Sequence, residues 1–359
     1  MIRIAFSMAW QGIEGHDAVA ATFAAAEARG RVAGSYLFVG PPGIGKGAFA
    51  RSLAKALVCP ERKAGLVACG ACVSCLQADA GTHPDIDVVA KPEDRATIPL
   101  ENFIGDAAHR MRDGLCWRIL LKPALGARKV AIVLDADHLA EEAANCLLKT
   151  LEEPPAGAVI ILVGTGLERQ LPTIRSRCQT VRFGPLGPET VQRLVAAELV
   201  RRGDERDDAT IAAAAAAAGG SLDRALLLLD PDLGAFRGRL FDLLSGRPLR
   251  GVELARETTG LVEAAGKEAP PRRARLASIL AAALDFQRAA LRHAATGELP
   301  ADPPLARAVV AWAADADEAS AALESTLDAC DAIDRNAHLP TLIDAWTAVL
   351  EAPRLAQAS

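Results

Sequence analysis

The sequence predicts a layered α/β domain built on a parallel sheet, followed by segments that are helical throughout. Three observations predict it. Five short apolar runs, Tyr36–Val39, Ile86–Ala90, Val130–Leu134, Val159–Val163 and Thr180–Phe183, alternate with helical stretches, the pattern of strands covered on both faces. A glycine-rich turn follows the first run and opens a helix. After Gly184-Pro-Leu-Gly-Pro188 the strand-forming runs stop.

The turn is Gly40-Pro-Pro-Gly-Ile-Gly-Lys46-Gly47, and the helix after it is read over Ala48 to Val58. Strand, turn and helix in this order are the context a phosphate-binding loop requires. Gly40, Gly43 and Gly45 let backbone N–H groups converge on phosphate oxygens, and the helix N-terminus adds a favourable partial charge. Lys46 would reach the outer phosphates. The next residue should carry a hydroxyl for magnesium, but it is Gly47. A ligand-free glycine turn is the plainer alternative, and for ATP hydrolysis it is the better reading.

Four cysteines follow that helix as Cys59-x9-Cys69-x2-Cys72-x2-Cys75. Each Cys-x-x-Cys turn points two sulfurs at one centre, and four thiolates satisfy tetrahedral zinc with no open position. We read a structural zinc site. An iron–sulfur cluster is a second reading, although the Cys-Pro expected three residues further on is absent. Free thiols are a third. The remaining cysteines, Cys116, Cys146, Cys178 and Cys330, are expected to be buried small hydrophobes.

Val130-Ala-Ile-Val-Leu-Asp135-Ala-Asp-His138 is a buried strand with an acidic tip. Asp135 stands where a nucleotide-hydrolysing site places its magnesium chemistry, but the glutamate wanted beside it is Ala136. A helix ending at Pro154 follows, in Leu147-Leu-Lys-Thr-Leu-Glu-Glu-Pro-Pro155. The next apolar run leads to Leu171-Pro-Thr-Ile-Arg-Ser176-Arg177-Cys178, a short segment expected to be exposed. Taken alone, either arginine in it reads as a solvated charge.

Three short helices are expected at Glu189 to Arg202, Ala209 to Ala218 and Ser221 to Leu229, with Ser221 as an N-cap. Asp230-Pro-Asp marks a boundary. From about residue 235 the chain reads as a bundle of five or six helices, punctuated at Gly246-Arg-Pro, Pro270-Pro271, 297–304 and Pro340.

Composition narrows the function classes. The chain has 359 residues, enough for two or three domains. Its net charge is −5, so it lacks the basic surplus of a free-standing nucleic-acid binder. No apolar run approaches the roughly 18 residues of a membrane span. Met1 to His16 lacks the basic and apolar regions of a secretory signal, so the expected compartment is the cytoplasm.

The phosphate loop, the cysteine module, the Leu-Leu-Lys-Thr-Leu-Glu-Glu-Pro-Pro helix and Ser176-Arg177-Cys178 occur in this order. So do Gly15-His16-Asp17, Tyr36-Leu37-Phe38, Gly81-Thr-His-Pro-Asp85 and Arg128-Lys-Val130. Together they resemble the delta prime family of bacterial DNA polymerase III clamp-loader subunits, within the AAA+ ATPase superfamily. The resemblance is motif-rich over about residues 10–183 and mostly architectural beyond 235. It implies an AAA+ core at 1–183 carrying a zinc module at 59–75, a helical lid at 184–234, and a helical collar at 235–359.

It further implies partners: gamma/tau and delta subunits, and indirectly the beta sliding clamp and primed DNA. Arg177 is implied as an arginine supplied in trans to a neighbour's ATP site. Hydrolysing relatives keep Ser or Thr at position 47, Glu at 136, and an arginine after Gly-Ser-Leu. Here Gly220-Ser-Leu222 is followed by Asp223, and Arg224 comes one place late, rotated by about 100° on a helix. The expectation is a non-hydrolysing subunit with no activity alone, whose ATP occupancy the sequence leaves open. An active gamma/tau-type ATPase is the alternative. Any polymerase label belongs to an assembled holoenzyme, because no second carboxylate constellation is present for two-metal chemistry.

Overall fold

The computed structural model describes residues 10–110, 112–126, 128–300 and 302–356. Residues 1–9, most of the segment tested for a secretory signal, lie outside the described residues.

In chain order the first part runs α1 (Asp17–Ala28), β1 (Ser35–Val39), α2 (Lys46–Val58), α3 (Val73–Asp79) and β2 (Ile86–Val89). It continues through α4 (Glu101–Ile104), α5 (Leu115–Arg118), β3 (Lys129–Val133), α6 (Glu141–Glu152), β4 (Ala158–Val163), α7 (Pro172–Arg175) and β5 (Gln179–Arg182). The five strands form one sheet in the order β2-β3-β4-β1-β5, every pair parallel. β1, β3 and β4 are buried at every position, as continuous apolar runs require of central strands. Each predicted strand is present within one residue of its expected ends.

β1 therefore lies between β4 and β5, and the glycine loop leaves its C-terminal end. Aromatic residues are only 4% of the chain, yet several gather under that loop. Phe49 of α2 lies 6.0 Å from Phe38 of β1 and 5.2 Å from Phe183, ring centre to ring centre. His16, buried ahead of α1, donates from Nε2 to the Ile44 carbonyl at 2.7 Å and meets Phe183 edge-on. These contacts fix the loop and the first turn of α2 against the sheet. The helix starts at Lys46, two residues earlier than the sequence suggests, because Gly45 caps it in a left-handed conformation at φ 91°.

Three helices follow, α8 (Pro188–Arg202), α9 (Asp208–Ala217) and α10 (Leu222–Leu228). Asp207 caps α9 by accepting from the Thr210 N–H, and Ser221 Oγ accepts from the Arg224 N–H at the start of α10. The remaining elements are α11 (Pro231–Ser245), α12 (Gly251–Ala264), α13 (Ala269–Thr296), α14 (Pro303–Trp312), α15 (Ala316–Asp334) and α16 (Leu339–Ala356). Pro270 and Pro271 do not interrupt this part. They occupy the first turn of α13, where a missing N–H costs nothing. Asp230 starts α11 by accepting from the N–H groups of Asp232 and Leu233, a few residues before the expected start of the bundle.

The chain divides into two compact units, residues 1–225 and 226–359. In the second, Phe241, Phe286 and Trp312 stack in a fully buried core. A polar hub sits beside them. Thr326 Oγ1 accepts from Gln287 Nε2 at 2.8 Å and from Trp346 Nε1 at 2.9 Å, tying α13 and α16 to α15.

Candidate functional site

Lys46 is buried and turned inward. Its Nζ donates to the carbonyls of Gly40 and Pro41, each at 2.6 Å. Burial lowers its pKa, while the nearby Asp137 and Asp223 pull the other way. Gly47 packs below Leu134, whose Cδ2 would stand 3.3 Å from a Cβ added there. A serine or threonine at 47 would thus require the Leu134 side chain to give way.

Asp135 caps the turn after β3 in a left-handed conformation at φ 54°, a geometry that Asp tolerates better than most residues. Its Oδ2 accepts from the Lys91 N–H at 3.4 Å. Ala136 is buried in the turn Ala136–His138. Asp137 faces the loop after β4, accepting from the Thr165 N–H at 2.8 Å and from the Gln170 side chain. The acidic tip is therefore largely bound into the fold.

The start of α10 closes over the glycine loop. The Leu222 N–H donates to the Gly43 carbonyl at 2.8 Å. Asp223 faces Gly43, whereas Arg224 lies toward Gly219. One helical position separates the two side chains, which accounts for the change of direction.

The four module cysteines meet at a point. Their sulfurs all lie within 4.8 Å of one another, with Cys59 and Cys72 at 3.9 Å and Cys69 and Cys75 at 3.8 Å. A tetrahedron of zinc–sulfur bonds of about 2.3 Å puts its sulfurs about 3.8 Å apart. The spacing is far beyond the roughly 2.05 Å of a disulfide. The Cys69 N–H points at Cys59 Sγ and the Cys72 N–H at Cys69 Sγ, at 3.4 and 3.3 Å. Backbone N–H groups of Ala71 and Cys72 bring Cys69 down to about 7, while burial pushes Cys75 up to about 12. These four residues suit one four-coordinate metal ion, which would tie the end of α2 to α3.

A latch that the sequence reading named only as part of the resemblance holds this module to the sheet. His83 Nδ1 accepts from the Asp85 N–H at 3.0 Å, so its Nε2–H donates to Ser74 Oγ at 2.8 Å. Ser74 in turn donates to the Val58 carbonyl. Asp85, 1% exposed, accepts from the N–H groups of Ala124, Leu125 and Gly126. Burial opposes its ionisation, yet those three bonds and Lys129 hold its carboxyl below the usual range.

Arg177 is apart from these groups, just beyond α7. Its Nε donates to Glu152 and its guanidinium also donates to the Thr173 carbonyl and Ser176 Oγ. Arg175 is exposed beside it. Of the four cysteines outside the module, only Cys116 is buried; Cys146, Cys178 and Cys330 are half-buried, a correction to the expectation. They lie at the margins of cores filled by larger side chains.

The parallel sheet, the loop leaving β1 and the helix it opens define an α/β protein of the phosphate-loop type. The comparisons narrow this. Residues 15–187 match the family profile described as DNA polymerase III, delta subunit. The subunit delta' of DNA polymerase III from Pseudomonas aeruginosa is 40% identical over 150 residues, 42% of this chain and 43% of that protein. The gamma/tau subunit from Mycobacterium tuberculosis is 34% identical over 219 residues, 61% of this chain and 36% of that protein. A solved gamma subunit-related protein from Thermotoga maritima aligns over 93% of this chain and 99% of its own, at 16% identity and a TM-score of 0.37. The chain resembles the delta prime subunit of bacterial DNA polymerase III. It spans less than half the length of the curated relatives it matches. Among the described residues no helix is long and apolar enough to cross a membrane.

Proposed function

We propose that this chain is a non-hydrolysing clamp-loader subunit of DNA polymerase III, with an AAA+ core, a helical lid and a helical collar. It acts in the cytoplasm with gamma/tau and delta subunits, helping to load the beta sliding clamp on primed DNA. The observation that carries this reading is the state of the loop. Lys46 is satisfied by its own loop carbonyls, Gly47 offers no magnesium ligand, and Ala136 offers no carboxylate to polarise water. Hydrolysis needs all three functions. Arg177 is half-exposed on a short turn, where a neighbour's phosphates can reach it. Cys59, Cys69, Cys72 and Cys75 hold a structural zinc ion in this reading.

The test is steady-state phosphate release from the purified chain, alone and with gamma/tau and delta. The chain alone should stay at background. Turnover that vanishes in Lys46→Ala would favour a second reading, an active gamma/tau-type ATPase. The longer match to gamma/tau, 219 residues against 150, is the observation on that side.

A further inference from the structure

The lid helix α10 meets the glycine loop through three neighbouring residues. Leu222 bonds to Gly43 through the backbone, at 2.8 Å. A Cβ placed on Gly43 would stand 2.3 Å from Ser221 Oγ and 2.9 Å from Asp223 Oδ2. The Ser221 hydroxyl and the Asp223 carboxylate therefore rest directly on the loop glycine. Lys46 lies three residues on, close enough for the Asp223 charge to act on it, with its Nζ folded back onto Gly40 and Pro41.

This arrangement opposes the chemistry that the loop's backbone favours. The first turn of α2 has no side-chain cap, so its N–H groups and partial positive charge remain suited to an anion. A phosphate approaching Gly43 would meet a carboxylate first. Asp223 is exposed, so water screens the repulsion, but like charges a few ångströms apart still oppose one another. The same carboxylate offsets the positive charge of Lys46 that a phosphate would seek.

We propose that Asp223, on the turn that bonds to Gly43, is the specificity-determining residue that bars nucleoside di- and triphosphates from this loop. The contact is made by the chain's own helix α10, through the Leu222 N–H and the Ser221 and Asp223 side chains. The inference deepens the non-hydrolysing reading and rests on it only in taking the loop as a former phosphate seat.

The experiment is calorimetric titration of the full chain with ADP in the absence of magnesium, since Gly47 provides no hydroxyl for the metal. Wild type, Asp223→Asn, Asp223→Arg, and Asp223→Asn combined with Lys46→Ala are compared, each with a melting temperature to confirm folding. Wild type should show no saturable binding. Asp223→Asn should gain affinity by about tenfold or more, and Asp223→Arg should gain further. Lys46→Ala should erase the gain.

A folded Asp223→Asn protein with ADP affinity equal to wild type would overturn the proposal. So would a gain that survives Lys46→Ala, because ADP would then sit elsewhere. Should the asparagine variant not fold, Asp223→Ser removes the same charge and serves in its place. No partner subunit enters the assay, so failure to assemble a clamp loader would leave this result intact, and the converse also holds.

Discussion

Arg177 Nε donates to Glu152 Oε2 at 3.0 Å, linking the turn after α7 to the end of α6. The pair joins the two motifs that carry the resemblance, Leu-Glu-Glu-Pro-Pro and Ser-Arg-Cys. Glu152 is 61% exposed and Arg177 31%, so the bond adds little to stability. It orients the guanidinium and leaves it reachable.

Arg177→Ala should therefore leave folding and assembly intact and slow ATP hydrolysis by a reconstituted clamp loader. An arginine delivered in trans is worth about 10³–10⁵ in rate at its own site. In the proposed function one chain would serve one site among several, so bulk hydrolysis should fall only in part. Clamp loading should fall further. Both are measured on complexes whose assembly is checked by size-exclusion chromatography. Wild-type values for both would reduce Arg177 to a surface charge.

Elemental analysis of protein made without added metal should find one zinc per chain. Cys75→Ser should lower that content and the melting temperature together, because the ion would join α2 to α3 and an unfolded loop has no preformed site. Folded protein with metal content near zero, or one carrying iron with visible absorption, would refute the assignment.

Acid should weaken the latch between the cysteine module and β2. Burial holds the His83 pKa below its ordinary 6.5. The unfolded chain then binds the proton more readily than the folded one, so stability is complete above about pH 6.5 and falls as pH drops below it. Melting temperatures at pH 8 and pH 5.5 should differ more in wild type than in His83→Asn. Equal differences would show that His83 does not contribute to this slope.

Thr326→Val keeps the volume of a fully buried side chain and removes its oxygen. Gln287 Nε2 and Trp346 Nε1 would each lose a buried acceptor. The expected loss is about 2–4 kcal/mol in urea unfolding. A loss below about 0.5 kcal/mol would mean that the two donors find other partners.

The sequence by itself determined the sheet and the chemistry-bearing motifs. Short apolar runs rich in β-branched or aromatic residues and bounded by turn residues fit central strands better than helices, and a glycine turn between strand and helix has few possible shapes, so β1, β3, β4 and the loop at 40–47 were legible. The four cysteines were legible as a set because their spacing repeats a local turn. Local pattern also foretold the capping role of Ser221. What the tertiary structure alone decided is which side chains meet across long sequence separations. Nothing near Lys46 foretells that it bonds to Gly40 and Pro41, or that Asp223, far along the chain, rests on Gly43. Thr326 reads as an ordinary helical residue until Gln287 and Trp346 are packed around it, and His83 becomes a latch only when Ser74 is brought to its ring. Backbone preferences act over a few residues and leave their mark in the sequence. Burial and charge pairing act through space, and packing alone selects the partners.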